Sequence, residues 1–367
     1  INFKYFNRVL LKDSILKFVE TLNVSSKQYL YKTSLDCKQP TLYASAYVAM
    51  IFSLLDKTKS LTQEEKDQWI AYFDSFQSKE DGLFYDPVIH NDIYEESDWW
   101  GARHLALHML TAYESLGSKP KHQNLWVKKY YDKDFMYQWL DSTDWINDPA
   151  RHECDIDNKI MNVGSALQYQ RDKWDDDLAG QAISNLKNYL IKKIQTDSGV
   201  WGKFNHDDKN DSCRVVQFAY HILPLFFYDN EYDFDVAKIV NLVLRTQNSF
   251  YGFGVRYNSS ACEDIDGIYI LLSLKHLCDK EMQNEINLCI KNTFSWIMFN
   301  QNCDGGFVFR LLEELNYGHI ETSIKKNRSG LFPTWFRLLS IAHIDRVIGN
   351  DYFNINKSPG YEYIIKK

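Results

Sequence analysis

Two kinds of helical pattern alternate along the chain. Segments such as Thr62 to Gln77, Asp176 to Gln195 and Met282 to Gln301 place apolar residues on one helical face and charges elsewhere, the signature of helices with one wet side. Between segments of this kind lie stretches apolar on nearly all sides: Thr41 to Leu55, Asp98 to Leu116, Asp157 to Gln170, Asp211 to Tyr228, Asp264 to Leu277 and Phe332 to Ile344. A helix without a polar face belongs to an inner layer. The alternation predicts an outer ring of mixed helices around an inner ring of apolar ones.

The breaks between the two kinds repeat. Gln77 to Phe84, Gln195 to Trp201, Gln247 to Phe253 and Gln301 to Phe307 each read glutamine, polar turn, glycine, aromatic, and Gln28 and Gln138 head degenerate copies. These glutamines stand 49 to 61 residues apart, room for two helices and two turns. Six units predict an all-α fold, an (α/α)6 toroid of six helical hairpins filling residues 1–367 as one domain, with no central sheet. Glycine allows the left-handed turn that stops the helix, and the aromatic folds back as a plug. Carboxylates at Asp98, Asp155, Asp157, Asp211, Asp264 and Asp266 mark helix starts, Pro40 and Pro333 suit first turns, and Pro224 is expected to kink or end its helix early. Since each hairpin repeats the same sense, all inner helices should start at one end, the mouth of the cavity.

At these repeats the chain resembles the prenyltransferase and squalene-cyclase repeat family, whose motif pairs a helix-terminal Gln with Gly and Trp or Phe. Gln195 to Trp201, Gln247 to Gly254 and Gln301 to Phe307 carry the likeness, and Leu244 to Leu274 looks like one full repeat. The resemblance implies a terpenoid cyclase-like toroid. Proton-initiated cyclases of that family use Asp-x-Asp-Asp at an inner helix start; this chain has Asp264-Ile-Asp266-Gly267 and Asp155-Ile-Asp157-Asn158, each without the last acid. Protein prenyltransferases hold zinc with Asp-x-Cys and a distant His; here Cys262-Glu263-Asp264 has the order inverted, so no metal is expected.

Forty-two basic against 49 acidic residues leave a net charge of −7 over 367 residues, which offers no positive field for nucleic acid. Seven scattered cysteines read as reduced thiols in a cytosol-like compartment, hence a cytoplasmic location. No apolar run is long enough to span a membrane, and the start, Ile1-Asn2-Phe3-Lys4, lacks Met and shows no signal-like segment.

Candidate chemistry gathers at the inner helix starts. Glu263, Asp264 and Asp266 are crowded enough to keep one carboxyl protonated, with Asp266 the preferred proton donor. His152, Glu153, Asp155 and Asp157 form a second cluster two hairpins away. Asp98, Trp99 and Trp100 open another helix, with His104 and His108 one turn apart; core histidines are preferred there to a metal pair. Tyr43, Tyr269 and Trp335 are expected to line an aromatic cavity, while Arg214, Arg256 and Lys203 are candidates for an anionic group. Phosphate loops and nucleophile elbows are absent from the sequence, and no cofactor is implied. Three readings stay open: acid-initiated isoprenoid chemistry, a carbohydrate-active enzyme using Asp157 and Asp266 as an acid and base pair, and a noncatalytic toroid binding a small molecule or partner.

Overall fold

The computed structural model describes residues 6–148 and 155–360. Within them the chain forms twelve α-helices: α1 Arg8–Thr21, α2 Leu42–Leu54, α3 Gln63–Asp74, α4 Ala102–Ser115, α5 Lys133–Asp141, α6 Ile156–Trp174, α7 Asp177–Ile191, α8 Lys209–Tyr228, α9 Val236–Arg245, α10 Ala261–Leu274, α11 Lys280–Phe299 and α12 Leu331–Val347. No strand occurs among the described residues; the bridges are isolated.

Even-numbered helices form the inner ring. Each packs on the next, and α12 packs on α2 to close the circle. Their composition explains the placement: all 13 residues of α2 are buried, whereas α3 buries only Trp69 and Phe73. Fully burying one large apolar side chain stabilises by roughly 1.5–3 kcal/mol, so the inner ring supplies most of the driving force.

The repeated turns tie each hairpin shut and join it to its neighbour. Gln77, Gln247 and Gln301 form antiparallel bridges with Phe84, Phe253 and Phe307, which brings each aromatic back under the end of its outer helix. The Gln301 amide donates to the Gly305 carbonyl at 2.9 Å and to Ser14 Oγ on α1 at 3.1 Å, joining the last hairpin to the first. The Gln247 amide likewise reaches Thr293 Oγ1 on α11 at 2.9 Å. Trp145 and Trp201 donate their indole N–H to the Leu140 and Leu190 carbonyls of the preceding outer helices. The first unit differs from expectation: α1 ends at Thr21, and Asn23, not Gln28, bridges to the returning Tyr31. Its amide donates to the Lys27 carbonyl much as the glutamines do to theirs.

Pro224 does not end its helix early, because α8 runs past it to Tyr228. A Gln168 amide from α6 donates to the Leu225 carbonyl at 2.7 Å, so a neighbouring helix supplies a hydrogen bond beside the proline.

Opposite the mouth, the segment after α12 crosses the ends of the inner helices. Asn354 N–H donates to the Leu54 carbonyl, Asn356 donates to Ser53 Oγ at 2.8 Å, and buried Ser358 meets Thr111 at 2.9 Å. Among the described residues no helix is long and apolar enough to cross a membrane.

Gly305 holds φ at +93°, and a Cβ there would stand 2.1 Å from the Ser14 backbone carbonyl, at the seam between last and first hairpins. Gly117, at φ +73°, has nothing within 4 Å of its would-be Cβ. Gly305→Ala should therefore cost well above the roughly 1 kcal/mol expected of left-handed strain alone at Gly117→Ala. Thermal melts of the two variants check this; equal melting temperatures would refute the seam.

Candidate functional site

The head of α10 begins with a capping box, in which Ser260 accepts from the Glu263 N–H and Glu263 accepts from the Ser260 N–H. Glu263 also pairs with Arg310 at 2.8 Å. Asp264 and Asp266 are two positions apart, about 200° around a helix, and so face opposite ways. Asp264 faces α11 and α12. It accepts from Phe253 N–H (2.9 Å), Ser259 Oγ (2.7 Å), Trp296 Nε1 (2.9 Å) and Arg337 (2.8 Å), an arrangement that occupies both carboxylate oxygens. Arg337, fully buried on α12, donates further to the Val308 and Phe309 carbonyls and to Asn300.

Asp266 points the other way, into the ring. Its carboxyl has no hydrogen-bond partner among the described residues, and it lines the cavity. Burial first, and then the charges of Glu263, Asp157 and Asp264, push its pKa well above the usual carboxylate range. The protonated form is favoured accordingly.

On α6 the second Asp-Ile-Asp behaves differently. Asp155 reaches sideways to accept from the Asp98 backbone N–H, which ties the loop before α4 to α6. Burial pushes its pKa up to about 7. Asp157 is completely buried; burial alone would raise it, but the His221 hydrogen bond and the Arg214 charge prevail and hold it at about 2. The His221 Nδ1 contact is 3.0 Å and the Arg214 contact 3.0 Å. An ionised carboxylate only accepts, so Nδ1 carries the proton and Nε2 is the ring nitrogen left for the cavity.

The cavity measures about 150 Å³. Trp99, Tyr220, Tyr317, Phe332 and Phe336 supply aromatic walls; His104, Asn158, Gln217, His221, Cys262 and Asp266 supply the polar atoms. These residues come from α4, α6, α8, α10 and α12 or from the segments that precede α4 and α12, so five inner helices border one chamber. His104 is held neutral by burial and contacts the Tyr43 hydroxyl at 2.9 Å.

Of the residues singled out from sequence, Asp266, Trp99, His104 and Cys262 line the chamber, and Trp99 is 39% exposed at its rim. Tyr43, Trp100 and Trp335 stand one layer behind: Trp100 packs against Tyr94 and Tyr43, and Trp335 stacks on Phe336 at 4.4 Å. Tyr269 contacts Tyr220 and His343 rather than the chamber. Asp98 is committed to Arg103, and Arg214 to Asp157. Arg256 pairs with Glu313, and Lys203 lines a separate surface cleft with His206 and Asp211. His152 and Glu153 lie outside the described residues. Sequence reasoning did not find Gln217, Tyr220, His221, Tyr317, Phe332 or Phe336. Most of them sit on an inner helix one to three turns from its start, a signal that was available; Tyr317 belongs to an irregular segment and carried none.

A prenyltransferase-type zinc set does not fit these residues. Asp264 is consumed by four donors, and among the described residues no three His, Cys, Asp or Glu side chains group so as to hold a metal.

A family model described as prenyltransferase alpha-alpha toroid domain matches residues 10–324. No curated protein matches the chain in sequence. Among solved structures, it is similar to the type II terpene cyclase MstE from Scytonema, at 11% identity over 92% of this chain and 99% of that one, with a TM-score of 0.49. It is similar also to the α-1,6-mannanase GH76A of Salegentibacter sp. HEL1_6, at 8% identity over 93% and 100% with a TM-score of 0.47. A polysaccharide lyase matches at 12% identity over 93% and 97%, with a TM-score of 0.48.

Asp264→Asn should destabilise the protein by about 3–5 kcal/mol, the usual consequence of stranding one partner of a buried ion pair, here Arg337. Chemical denaturation measures this. A loss under about 1 kcal/mol would show that the pair does not hold the helix heads together.

Proposed function

Because the chain belongs to the prenyltransferase alpha-alpha toroid family, we propose that it is a terpenoid cyclase-like enzyme that starts its reaction by protonating an alkene of an isoprenoid. The observation that carries this reading is Asp266, a neutral carboxylic acid without a hydrogen-bond partner among the described residues, set in an aromatic chamber. An acid held by no donor keeps its proton for transfer, and the ring faces of Trp99, Tyr220, Tyr317, Phe332 and Phe336 shield the resulting carbocation from water on their side of the chamber.

In this reading Asp266 delivers its proton to one alkene carbon and becomes a carboxylate. The cation formed on the other carbon is attacked by the next double bond, while the faces of Trp99, Tyr220, Tyr317, Phe332 and Phe336 stabilise it through their quadrupoles. His221 then takes a proton from the carbon beside the final cation. Asp157, ionised and hydrogen-bonded to Nδ1, orients the ring and stabilises the imidazolium. Exchange with solvent at the mouth returns a proton to Asp266 and removes one from His221, so the product is an isomer of the substrate. The carbohydrate reading needs Asp157 to face a second acid across the chamber, and its carboxylate is instead taken by Arg214 and His221.

The test is incubation with linear C15, C20 and C30 isoprenoids in D2O. The expected product is a cyclised isomer carrying one deuterium from solvent at the protonated carbon. Asp266→Asn, nearly isosteric, should keep the wild-type melting temperature and lose at least about a hundredfold in turnover. Full activity in that variant would overturn the assignment.

Activity should also fall as pH rises through the raised pKa of Asp266, because the working form is the protonated one. The sign follows from the direction of the shift: the folded protein retains this proton at pH values where an ordinary aspartate has lost it. A rate–pH profile measures the limb; turnover that grows as carboxylates ionise would contradict the acid role.

A further inference from the structure

The chamber has two unlike walls. Trp99, Tyr317, Phe332 and Phe336 make one of them apolar; on the α6 and α8 side stand the half-buried amides of Asn158 and Gln217. The Gln217 amide makes no hydrogen bond among the described residues, so its N–H and C=O are both offered to whatever occupies the chamber. No lysine or arginine lines the chamber among those residues, and the guanidinium on that side, Arg214, is bound to ionised Asp157.

Converging helix N-termini would ordinarily attract an anion. Here one backbone donor at the head of each of α2, α8, α10 and α12 is already used within the protein. Asp86 accepts from Leu42 N–H, Asp208 from Asn210 N–H, Ser260 from Glu263 N–H, and the Thr33 carbonyl from Leu331 N–H. A diphosphate, with several negative charges, would enter beside Asp157 with no cationic side chain in the lining to balance it. An amide, by contrast, matches an uncharged oxygen, donating to a carbonyl or accepting from a hydroxyl.

We propose that the chamber takes an isoprenoid whose head is an uncharged hydroxyl or carbonyl group bound by Gln217 and Asn158, and that it discriminates against prenyl diphosphates. The inference rests on the isoprenoid reading above and adds the chemistry of the head group.

Three probes of equal chain length test it: farnesol, farnesyl diphosphate and farnesene, titrated into the wild-type protein while tryptophan fluorescence is followed. Farnesol should bind at least about tenfold more tightly than the diphosphate. Gln217→Leu should weaken farnesol about tenfold, the worth of one good neutral hydrogen bond, and leave farnesene unchanged. Should Gln217→Leu fail to fold, Asn158→Leu reads the same contact. Equal or tighter binding of the diphosphate, or farnesol affinity untouched in the folded variants, overturns the proposal. Farnesene binding without a preference for farnesol sinks the head-group assignment alone; no binding of any of the three sinks the isoprenoid reading with it.

Discussion

The ion pair between Asp264 and Arg337 is the constraint on which the mouth of the toroid depends. Burying two charges costs several kcal/mol per ion, and the cost is met only when every remaining donor and acceptor finds a partner. Here the partners come from the Phe253 turn, Ser259, Trp296 and Asn300 at the end of α11, and the Val308–Phe309 carbonyls, so four pieces of chain are pinned to the pair. Asp266 is two residues further along the same helix. Its position is therefore set by the helix and not by contacts of its own carboxyl. That separation matters chemically, because hydrogen bonds made directly to Asp266 would have fixed it in place and lowered its pKa together.

The same three letters, Asp-Ile-Asp, produce opposite protonation states on two inner helices. Asp157 and Asp266 both face inward and both are buried, yet one is held at about 2 and the other is pushed far up. The difference lies in what was placed opposite: Arg214 and His221 from α8 meet Asp157, whereas Asp266 meets ring faces and other carboxylates. Environment, not residue type, divides the pair into a fixed anion and a removable proton.

The ring of hairpins was legible because each clue is local. Mixed and apolar helices differ in periodicity within a single segment, and Gln-turn-Gly-aromatic is decided inside eight residues. The first unit was misregistered at Gln28 because Asn23 does the glutamine's work with a shorter side chain, and no glycine follows it. The site was less legible since its decisions are long-range. Nothing near Asp264 announces that it faces Arg337, 73 residues away. Tyr317 sits in a segment without period, and Phe332 and Phe336 look like any apolar helix residues until the ring places them. Trp100 and Trp335 carried the stronger sequence signal as large aromatics, yet packing set them behind the lining.

Closure of the ring has a temporal consequence. Each hairpin can stack on the one before it as the chain emerges, but the contacts of α12 with α2 and of Gln301 with Ser14 join segments nearly three hundred residues apart. Such distant pairings form late, after the local ones. Until α12 arrives, the face of α10 that bears Asp266 is open to water, and a solvated aspartate is an ordinary carboxylate. The raised pKa of Asp266 is thus made by the last step of assembly: a nascent chain lacking its final helix carries every residue of the α10 head, but its Asp266 gives up its proton as any solvated aspartate does, and closure of the ring is what lets the carboxyl keep it.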